Sequence, residues 1–129
     1  MNINFRQIKD VGVFIIDGEL VVNNSRAVAG FIRAKVSEHS SFAIDLAAIS
    51  AIDTAGVQTL MHLKKDLSSR GIILKLINHS QPVIAFFDLY GLAPFFGDKI
   101  HVKSAEMKNF AFSYGVRKSE ADENYVVNE

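Results

Sequence analysis

The chain has 129 residues, of which 49% are hydrophobic and 22% are charged, so it is long and apolar enough to form one folded domain. Its 14 basic and 14 acidic residues give a formal net charge of zero, which argues against a global attraction to nucleic acid or to an anionic membrane and leaves only a local patch open. The chain contains no cysteine, which excludes disulfides, thiolate catalysis and thiolate metal sites.

The sequence predicts neither a secretory signal nor a membrane-spanning segment. No uninterrupted apolar run approaches the roughly 20 residues that a membrane-spanning helix needs. The N-terminus also lacks the long apolar stretch of a secretory signal. We therefore expect a cytoplasmic protein without direct membrane insertion.

The first part of the chain predicts a β-hairpin followed by a helix. Strand patterns at 4–8 and 11–16 are separated by a tight connection at Lys9 and Asp10. The segment 17–20 is predicted to leave the strand, and Asn24 or Ser25 can cap the helix that follows. The apolar residues at helical spacing are Val28, Phe31, Ile32 and Val36.

The central part predicts a buried strand at 42–46 and then a helix that begins near Thr54. Asp53 is placed to cap this helix, and Gly71 to end it in a left-handed conformation. Side chains predicted to face the core are Val57, Leu60, Met61 and Leu67. The segment 72–77 is rich in branched residues and is predicted to be a strand covered on both faces.

The C-terminal part predicts a helix from Ser80 and Pro82 to Gly91, a short strand at 99–102 and a last helix at 104–114. The third helix is expected to carry Val83, Ile84, Phe87 and Leu89 toward the core. The polar, acidic residues 117–129 predict a mobile tail after a domain of residues 1–116. Strands that alternate with helices indicate an α/β fold, with a small mixed β-sheet of about five strands flanked by about four helices.

Thr54 places a hydroxyl at the N-terminus of the central helix. A phosphate there would meet free backbone N–H groups and the positive end of the helix dipole, and it would add roughly −1.5 to −2 charge at neutral pH. The same residues also suit ordinary helix capping. From the residues alone, Thr54 is therefore either a structural residue or the acceptor of a reversible charge switch.

Several segments, taken in order, have the pattern of one family. They are 44–57, 70–77 and 91–96, with Gly18-Glu19-Leu20 as an early loop motif. Together they resemble the STAS domain of bacterial anti-sigma factor antagonists. Two positions depart from the common pattern: Ala55 stands where Ser or Thr is usual, and Val21 stands where Asp is frequent.

This resemblance implies a single STAS-like domain that binds an anti-sigma factor of the histidine-kinase-like ATPase class. It implies that the partner phosphorylates the Ser or Thr directly after the motif Asp, which is Thr54 here. Phosphorylation would weaken binding, and a PP2C-like phosphatase would reset the protein. The alternative is a STAS interaction module that is not phosphorylated and belongs to a stressosome-like scaffold or to a membrane transport complex.

The predicted interaction surface combines the early loop with the first turn of the central helix. Asp53 is expected to orient the Thr54 hydroxyl besides capping the helix, and Gly56 is expected to let a partner backbone approach. The predicted partner contacts are Gly18, Glu19, Asn23, Asn24, Ser25, Asp53, Thr54, Ala55, Gly56 and Gln58.

The sequence gives little support for an enzyme. It has no nucleophile elbow, no phosphate-binding loop and no dinucleotide-binding glycine pattern. Its histidines, His39, His62, His79 and His101, lie in separate elements and are expected to be surface or loop residues. Asp45 is expected to be structural, at a strand end. We therefore expect no catalytic residue, metal or cofactor.

Aromatic residues are concentrated in the C-terminal half. They are Phe86, Phe87, Tyr90, Phe95, Phe96, Phe110, Phe112 and Tyr114. Most are expected in the core, because helices that cover a small sheet need bulky side chains. Exposure of Phe86 or Phe95 would instead create an apolar patch for another molecule.

Overall fold

The computed structural model describes residues 1–37, 40–103, 116–118 and 124–127. The chain begins with β1 (Asn2–Ile8) and β2 (Val11–Leu20), followed by α1 (Ser25–Lys35), β3 (Ser41–Asp45) and β4 (Ile49–Ile52). It continues with α2 (Thr54–Ser69), β5 (Ile73–Ile77), α3 (Gln81–Tyr90) and α4 (Ala93–Phe96). The last described elements are β6 (Ile100–Lys103), β7 (Val116–Lys118) and β8 (Asn124–Val127).

The main sheet is organised around β2, which is long enough to pair with three other strands. β1 runs antiparallel along it, from Asn2 opposite Asp17 to Ile8 opposite Val11. β3 runs parallel to the first half of β2, and β5 runs parallel to β3. The result is a mixed 5-stranded sheet in the order β1-β2-β3-β5, with β4 beside β2. The predicted α/β fold is confirmed.

The end of β2 differs from the prediction. Residues 17–20 were expected to leave the strand, but Gly18 to Leu20 pair in parallel with β4, with a register shift between Gly18 and Glu19. The prediction is wrong because β4 offers these residues a backbone partner. β4 itself was not predicted, since its sequence, Ile-Ser-Ala-Ile, is short and contains small residues. Its pairing carries the chain directly to the start of α2.

Each long helix buries one stripe of side chains against the sheet, as the apolar spacing predicted. The fully buried residues of these stripes are Val28, Ile32, Leu60, Leu63, Leu67, Val83 and Phe87. Each such side chain contributes roughly 1.5–3 kcal/mol through removal of apolar surface from water. Leu89 was predicted to join them but is 73% exposed. Its position two residues beyond Phe87 places it about 200° around the helix, away from the stripe.

β5 lies at the end of the strand order and is covered on one face only. Leu74 and Leu76 are buried, whereas Lys75 is exposed and Ile73 is 56% exposed. The prediction of a strand covered on both faces is therefore wrong. Successive side chains of a strand point to opposite faces, and the packing of the helices buries only one of them here.

Lys64 of α2 reaches the edge of β5 that faces away from β3. The N–H of Ile73 donates to Ser40 and the carbonyl of Ile77 accepts from Leu46, so the peptide groups of the intervening Leu74 face away from β3. The Lys64 ammonium donates to the Leu74 carbonyl at 2.8 Å and to a carboxylate oxygen of Asp98, also at 2.8 Å. Lys64 therefore occupies one acceptor of this sheet edge.

The C-terminal residues contribute a second sheet. β6, predicted at 99–102, pairs antiparallel with β8, and β8 pairs antiparallel with β7. Neither β7 nor β8 was predicted from the sequence. β7 overlaps the start of the segment that was predicted to be a mobile tail, and β8 lies within that segment. The division of the chain at residue 116 remains a prediction. The helix predicted at 104–114 lies outside the described residues.

Candidate functional site at the start of helix α2

Asp53 caps α2 with its side chain, as predicted. Its backbone is extended, with φ −121° and ψ −175°, and its Oδ1 accepts a hydrogen bond from the Gly56 N–H at 2.8 Å. This satisfies one of the N–H groups that the first turn of a helix leaves without a partner. The helix therefore begins at Thr54 because the preceding carboxylate fixes its first turn.

The second oxygen of Asp53 joins this helix to the β2–α1 loop. Asp53 Oδ2 accepts from the Val22 N–H at 3.0 Å, across 31 positions of sequence. Both carboxylate oxygens thus accept from backbone N–H groups, and the predicted contact with the Thr54 hydroxyl is not among these bonds. The two segments that were predicted to form one surface are linked by a single side chain.

Side chains within the β2–α1 loop stabilise its conformation. Asn24 accepts from the Val21 N–H at 2.9 Å and donates to the Glu19 carbonyl at 2.6 Å. The hydroxyl of Ser25, which is only 7% exposed, donates to the Val21 carbonyl at 2.7 Å. Asn24 is the N-cap residue of α1, but its side chain makes no capping bond there. Glu19, near the end of β2, and Asn23, in the loop, are both exposed.

Gly56 is required by packing inside the domain. It is buried, and a Cβ built at this position would overlap the carbonyl oxygen of Leu20 and approach the Ile52 side chain to 3.0 Å. The backbone that approaches Gly56 closely therefore belongs to β2 of the same domain, whereas the sequence predicted the backbone of a partner protein at this position. Gly18 has a positive φ of 114° and lies against Met1, while its N–H donates to Ala48. Contacts of either glycine with a partner remain predictions.

Thr54 is exposed at the first position of α2. Its side chain lines a shallow cavity of about 230 Å³ between α2 and α3, together with Gln58 and mostly apolar residues. Those residues are Met61, Phe86, Tyr90 and Leu92. Gln58 is also exposed, and Ala55 is partly buried. Thr54 therefore lies beside an apolar recess, the cavity between α2 and α3, which was not predicted from the sequence.

The described aromatic residues of this cluster divide between core and surface: two are buried, one is partly buried and two are exposed. Phe87 and Phe96 are buried and stacked, with ring centroids 4.9 Å apart. Tyr90 is 60% exposed and Phe95 is 47% exposed, so part of the cluster forms a surface. Phe110, Phe112 and Tyr114 lie outside the described residues. The rings of Phe86 and Tyr90 are 4.7 Å apart. The spacing of these two aromatic residues, four positions apart in the sequence, could have predicted that they form one face of α3.

The acidic residue at the end of β3 is Asp45. Asp45 accepts from the Ala47 N–H and from the Asn78 side chain, which confirms its structural role at a strand end. Within the described ranges, no group of three or more acidic or histidine side chains is arranged to hold a metal ion. In the same residues, no helix is long and apolar enough to cross a bilayer.

His79 lies in the loop between β5 and α3, and its environment alters its pKa strongly. Burial, with smaller contributions from the positive charge of His101 and Lys64, lowers the pKa of His79 from 6.5 to about 4. Its ring packs edge-on against Phe87, with centroids 5.8 Å apart. The imidazole is therefore neutral at pH 7. His62 and His101 are exposed, and His39 lies outside the described residues.

Solved structures of other proteins share this fold. The fold is similar to that of an anti-sigma factor antagonist from Mycobacterium paratuberculosis, with 20% identity and a TM-score of 0.65 over 74% of this chain and 81% of that one. It is also similar to the anti-sigma factor antagonist SpoIIAA in its unphosphorylated form, with 19% identity and a TM-score of 0.59 over 75% and 87% of the two chains.

A third similar structure is a much larger protein, the murine anion transporter Slc26a9. Identity is 20% and the TM-score is 0.54, over 61% of this chain and 13% of the transporter. No protein with a curated function matches the sequence. The STAS domain family matches residues 2–107, which include the sheet, the helices and the Asp53-Thr54 segment. The chain therefore belongs to the STAS domain family.

Proposed function

We propose that this protein is an anti-sigma factor antagonist that binds an anti-sigma factor kinase and is switched off by phosphorylation of Thr54. The kinase would be of the histidine-kinase-like ATPase class, and a PP2C-like phosphatase would restore the binding state in the cytoplasm. Membership of the STAS family and the similarity to two named antagonists support this role. The proposed role is that of a regulator without catalytic activity of its own.

The observation that carries the proposal is the position of Thr54, exposed at the first residue of a helix whose cap is already complete. Asp53 fixes the first turn from outside the helix, so modification of the Thr54 hydroxyl removes no hydrogen bond that holds α2 in place. The helix N-terminus favours negative charge by about 0.3–1 kcal/mol. A phosphate would therefore change the surface charge while the domain stays folded, as a reversible switch requires.

The test combines phosphosite mass spectrometry with partner binding. The protein purified from its own cells is mapped for phosphate, and wild type, Thr54→Ala and Thr54→Glu are compared for binding to purified anti-sigma ATPases of the same organism. Ser68→Glu is the matched control, because it places the same charge at an exposed position near the other end of α2. We expect phosphate on Thr54, binding by the Ala and control variants, and loss of binding by Thr54→Glu.

A second candidate function has one observation in its favour, which is the similarity to part of Slc26a9. In that case the chain would be a STAS interaction module of a membrane transport complex, or of a stressosome-like scaffold, without a phosphorylation cycle. Absence of phosphate on Thr54 together with equal partner binding by all three variants would reject the switch and favour this alternative.

A further inference from the structure

A groove between α1 and α2 borders the predicted interaction surface. Its volume is about 310 Å³, and it is lined by Val22 of the β2–α1 loop, by one side of α1 and by the first turns of α2. The polar residues of its lining are Ser25, Arg26, Arg33, Gln58, Thr59 and His62. It thus shares Ser25, Ala55 and Gln58 with the set of predicted partner contacts.

The groove has cationic side chains in its lining although the whole chain is formally neutral. Among the described residues, two arginines and no acidic side chain line it. Arg33 is oriented by Asp66, with its Nε 3.2 Å from the carboxylate, and its side chain remains 43% exposed. Arg26 is exposed, and within the described ranges no hydrogen bond or ion pair holds its guanidinium. Arg26 can therefore accept an anionic group without breaking an existing contact.

The opposite side of α2 has a different chemistry. The cavity between α2 and α3 that contains Thr54 is almost entirely apolar, with Met61 and Phe86 in its lining and Tyr90 on its exposed side. Gln58 lines both this cavity and the groove beside Arg26. The first turns of α2 are thus a ridge with a cationic groove on one side and an apolar recess on the other.

We propose that this ridge binds a partner segment that places a carboxylate between Arg26 and Arg33 and an apolar side chain in the recess beside Tyr90. Guanidinium groups pair with carboxylates through two parallel hydrogen bonds, and exposed tyrosine and arginine side chains are enriched at the energetic centres of interfaces. The docking segment is therefore acidic and amphipathic. The inference rests on the proposed function, since it describes the partner's side of the same surface.

This arrangement also gives the switch a specific electrostatic basis. Thr54 lines the recess, one helical turn before Gln58, so a phosphate on it would lie on the ridge itself. Its negative charge would repel the partner's carboxylate and would add a charged, strongly hydrated group beside the apolar recess. A partner that combined basic and apolar residues would instead be attracted by the phosphate, which is the opposite of release.

The first test uses a probe that does not depend on knowing the partner. A helical peptide with glutamates on one face and leucines on the other is titrated into the full-length ¹⁵N-labelled protein, in parallel with a peptide that has lysine in place of glutamate. We expect shifts in α1, α2 and α3 with the glutamate peptide alone. Arg26→Glu should weaken binding by about tenfold or more, because like charges oppose each other in a desolvated contact.

Arg6→Glu, at an exposed position of β1, is the matched control and should bind like wild type. Arg26→Glu is expected to remain folded, since an acidic residue in the first turn of α1 interacts favourably with the helix dipole. Equal binding of the two peptides, or equal binding by Arg26→Glu and wild type, overturns the inference. Displacement of the peptide by inorganic phosphate at equal concentration also overturns it and identifies a small-anion site.

The two proposals can fail separately. If a kinase partner binds and Thr54→Glu fails to release it, the phosphorylation switch is rejected whatever the arginine variants do. If Thr54→Glu releases the partner while Arg26→Glu binds it as well as wild type and with the same dependence on salt, the switch stands and the acidic docking segment is rejected. Screening of the wild-type contact by salt is part of the expected result.

Discussion

Removal of the Asp53 carboxylate should destabilise two segments of the protein at once. The helix cap to Gly56 is worth about 1 kcal/mol by comparison with other N-caps. The hydrogen bond to the Val22 N–H is worth about another 1 kcal/mol, near the usual net value for a hydrogen bond. Asp53→Ala should therefore lower the free energy of unfolding by about 2 kcal/mol. Asp53→Ser should lower it by about 1 kcal/mol, because a single hydroxyl can keep the cap but cannot reach both donors.

The size of this effect is measurable by thermal or urea unfolding. An unfolding entropy of about 2.1 cal/mol/K per residue gives about 0.27 kcal/mol/K for 129 residues, so a loss of 2 kcal/mol lowers Tm by about 7 °C. Asp17→Ala is the control, since Asp17 is an exposed residue of β2 whose carboxylate makes no hydrogen bond or ion pair with the described residues. Hydrogen exchange adds a local readout, because the Val22 amide should exchange faster in both Asp53 variants, and the Gly56 amide only in Asp53→Ala.

Two outcomes would refute this reasoning. If Asp53→Ala unfolds at the same denaturant concentration as Asp17→Ala, the carboxylate does not hold the loop and the helix together in solution. If Asp53→Ser is as unstable as Asp53→Ala, the cap and the loop contact are not separable contributions.

Three further changes test other parts of the structure. Gly56→Ala should lower the free energy of unfolding by about 1–3 kcal/mol, because the added Cβ overpacks against a β2 carbonyl. Gly30→Ala, at an open and exposed helical position, should instead raise the free energy of unfolding by roughly 0.5–1 kcal/mol. Equal effects of the two substitutions in thermal unfolding would contradict the packing argument. Because the pKa of His79 is lowered in the folded protein, the free energy of unfolding should be highest above pH 6.5 and should fall as the pH drops from 6.5 to about 4. In this pH range the unfolded chain binds a proton that the folded chain does not. The loss should be on the order of 2–3 kcal/mol, and urea unfolding of His79→Asn should lack this part of the pH dependence if the histidine causes it. Lys64→Met should lower the free energy of unfolding by about 1–3 kcal/mol, because the contacts with the Leu74 carbonyl and the Asp98 carboxylate are lost. Lys65→Met, on the exposed side of the same helix, should have little effect. Similar urea midpoints for the two variants would show that these contacts do not contribute to stability.

The sequence was most informative where local chemistry determines local structure. Asp53 at a cap position and Gly71, which has a φ of 73°, bracket α2 as predicted, because capping preferences act within a few residues. The apolar stripes of the helices were largely predicted for the same reason. Leu89 was an error of helical phase, and the two-sided cover assigned to β5 was an error about the position of that strand in the sheet.

Contacts between distant parts of the chain were harder to predict. The bond from Asp53 to Val22 joins segments 31 residues apart, and nothing in either segment alone indicates it. β4 has no hydrophobic alternation of its own and is a strand only because β2 extends far enough to pair with it. The groove beside Arg26 depends on the spacing of α1 and α2, which the sequence of each helix does not specify.

The ammonium of Lys64 also has a consequence for the behaviour of the protein at high concentration. β5 ends the main sheet within the described residues, and its outward Leu74 carbonyl is a point to which a strand from another molecule could add. Because Lys64 donates to that carbonyl, an incoming strand would first have to displace a charged, partly buried contact. A residue that stabilises the monomer thus also protects it from edge-to-edge aggregation, and loss of Lys64 should increase self-association before it affects binding at the opposite end of α2.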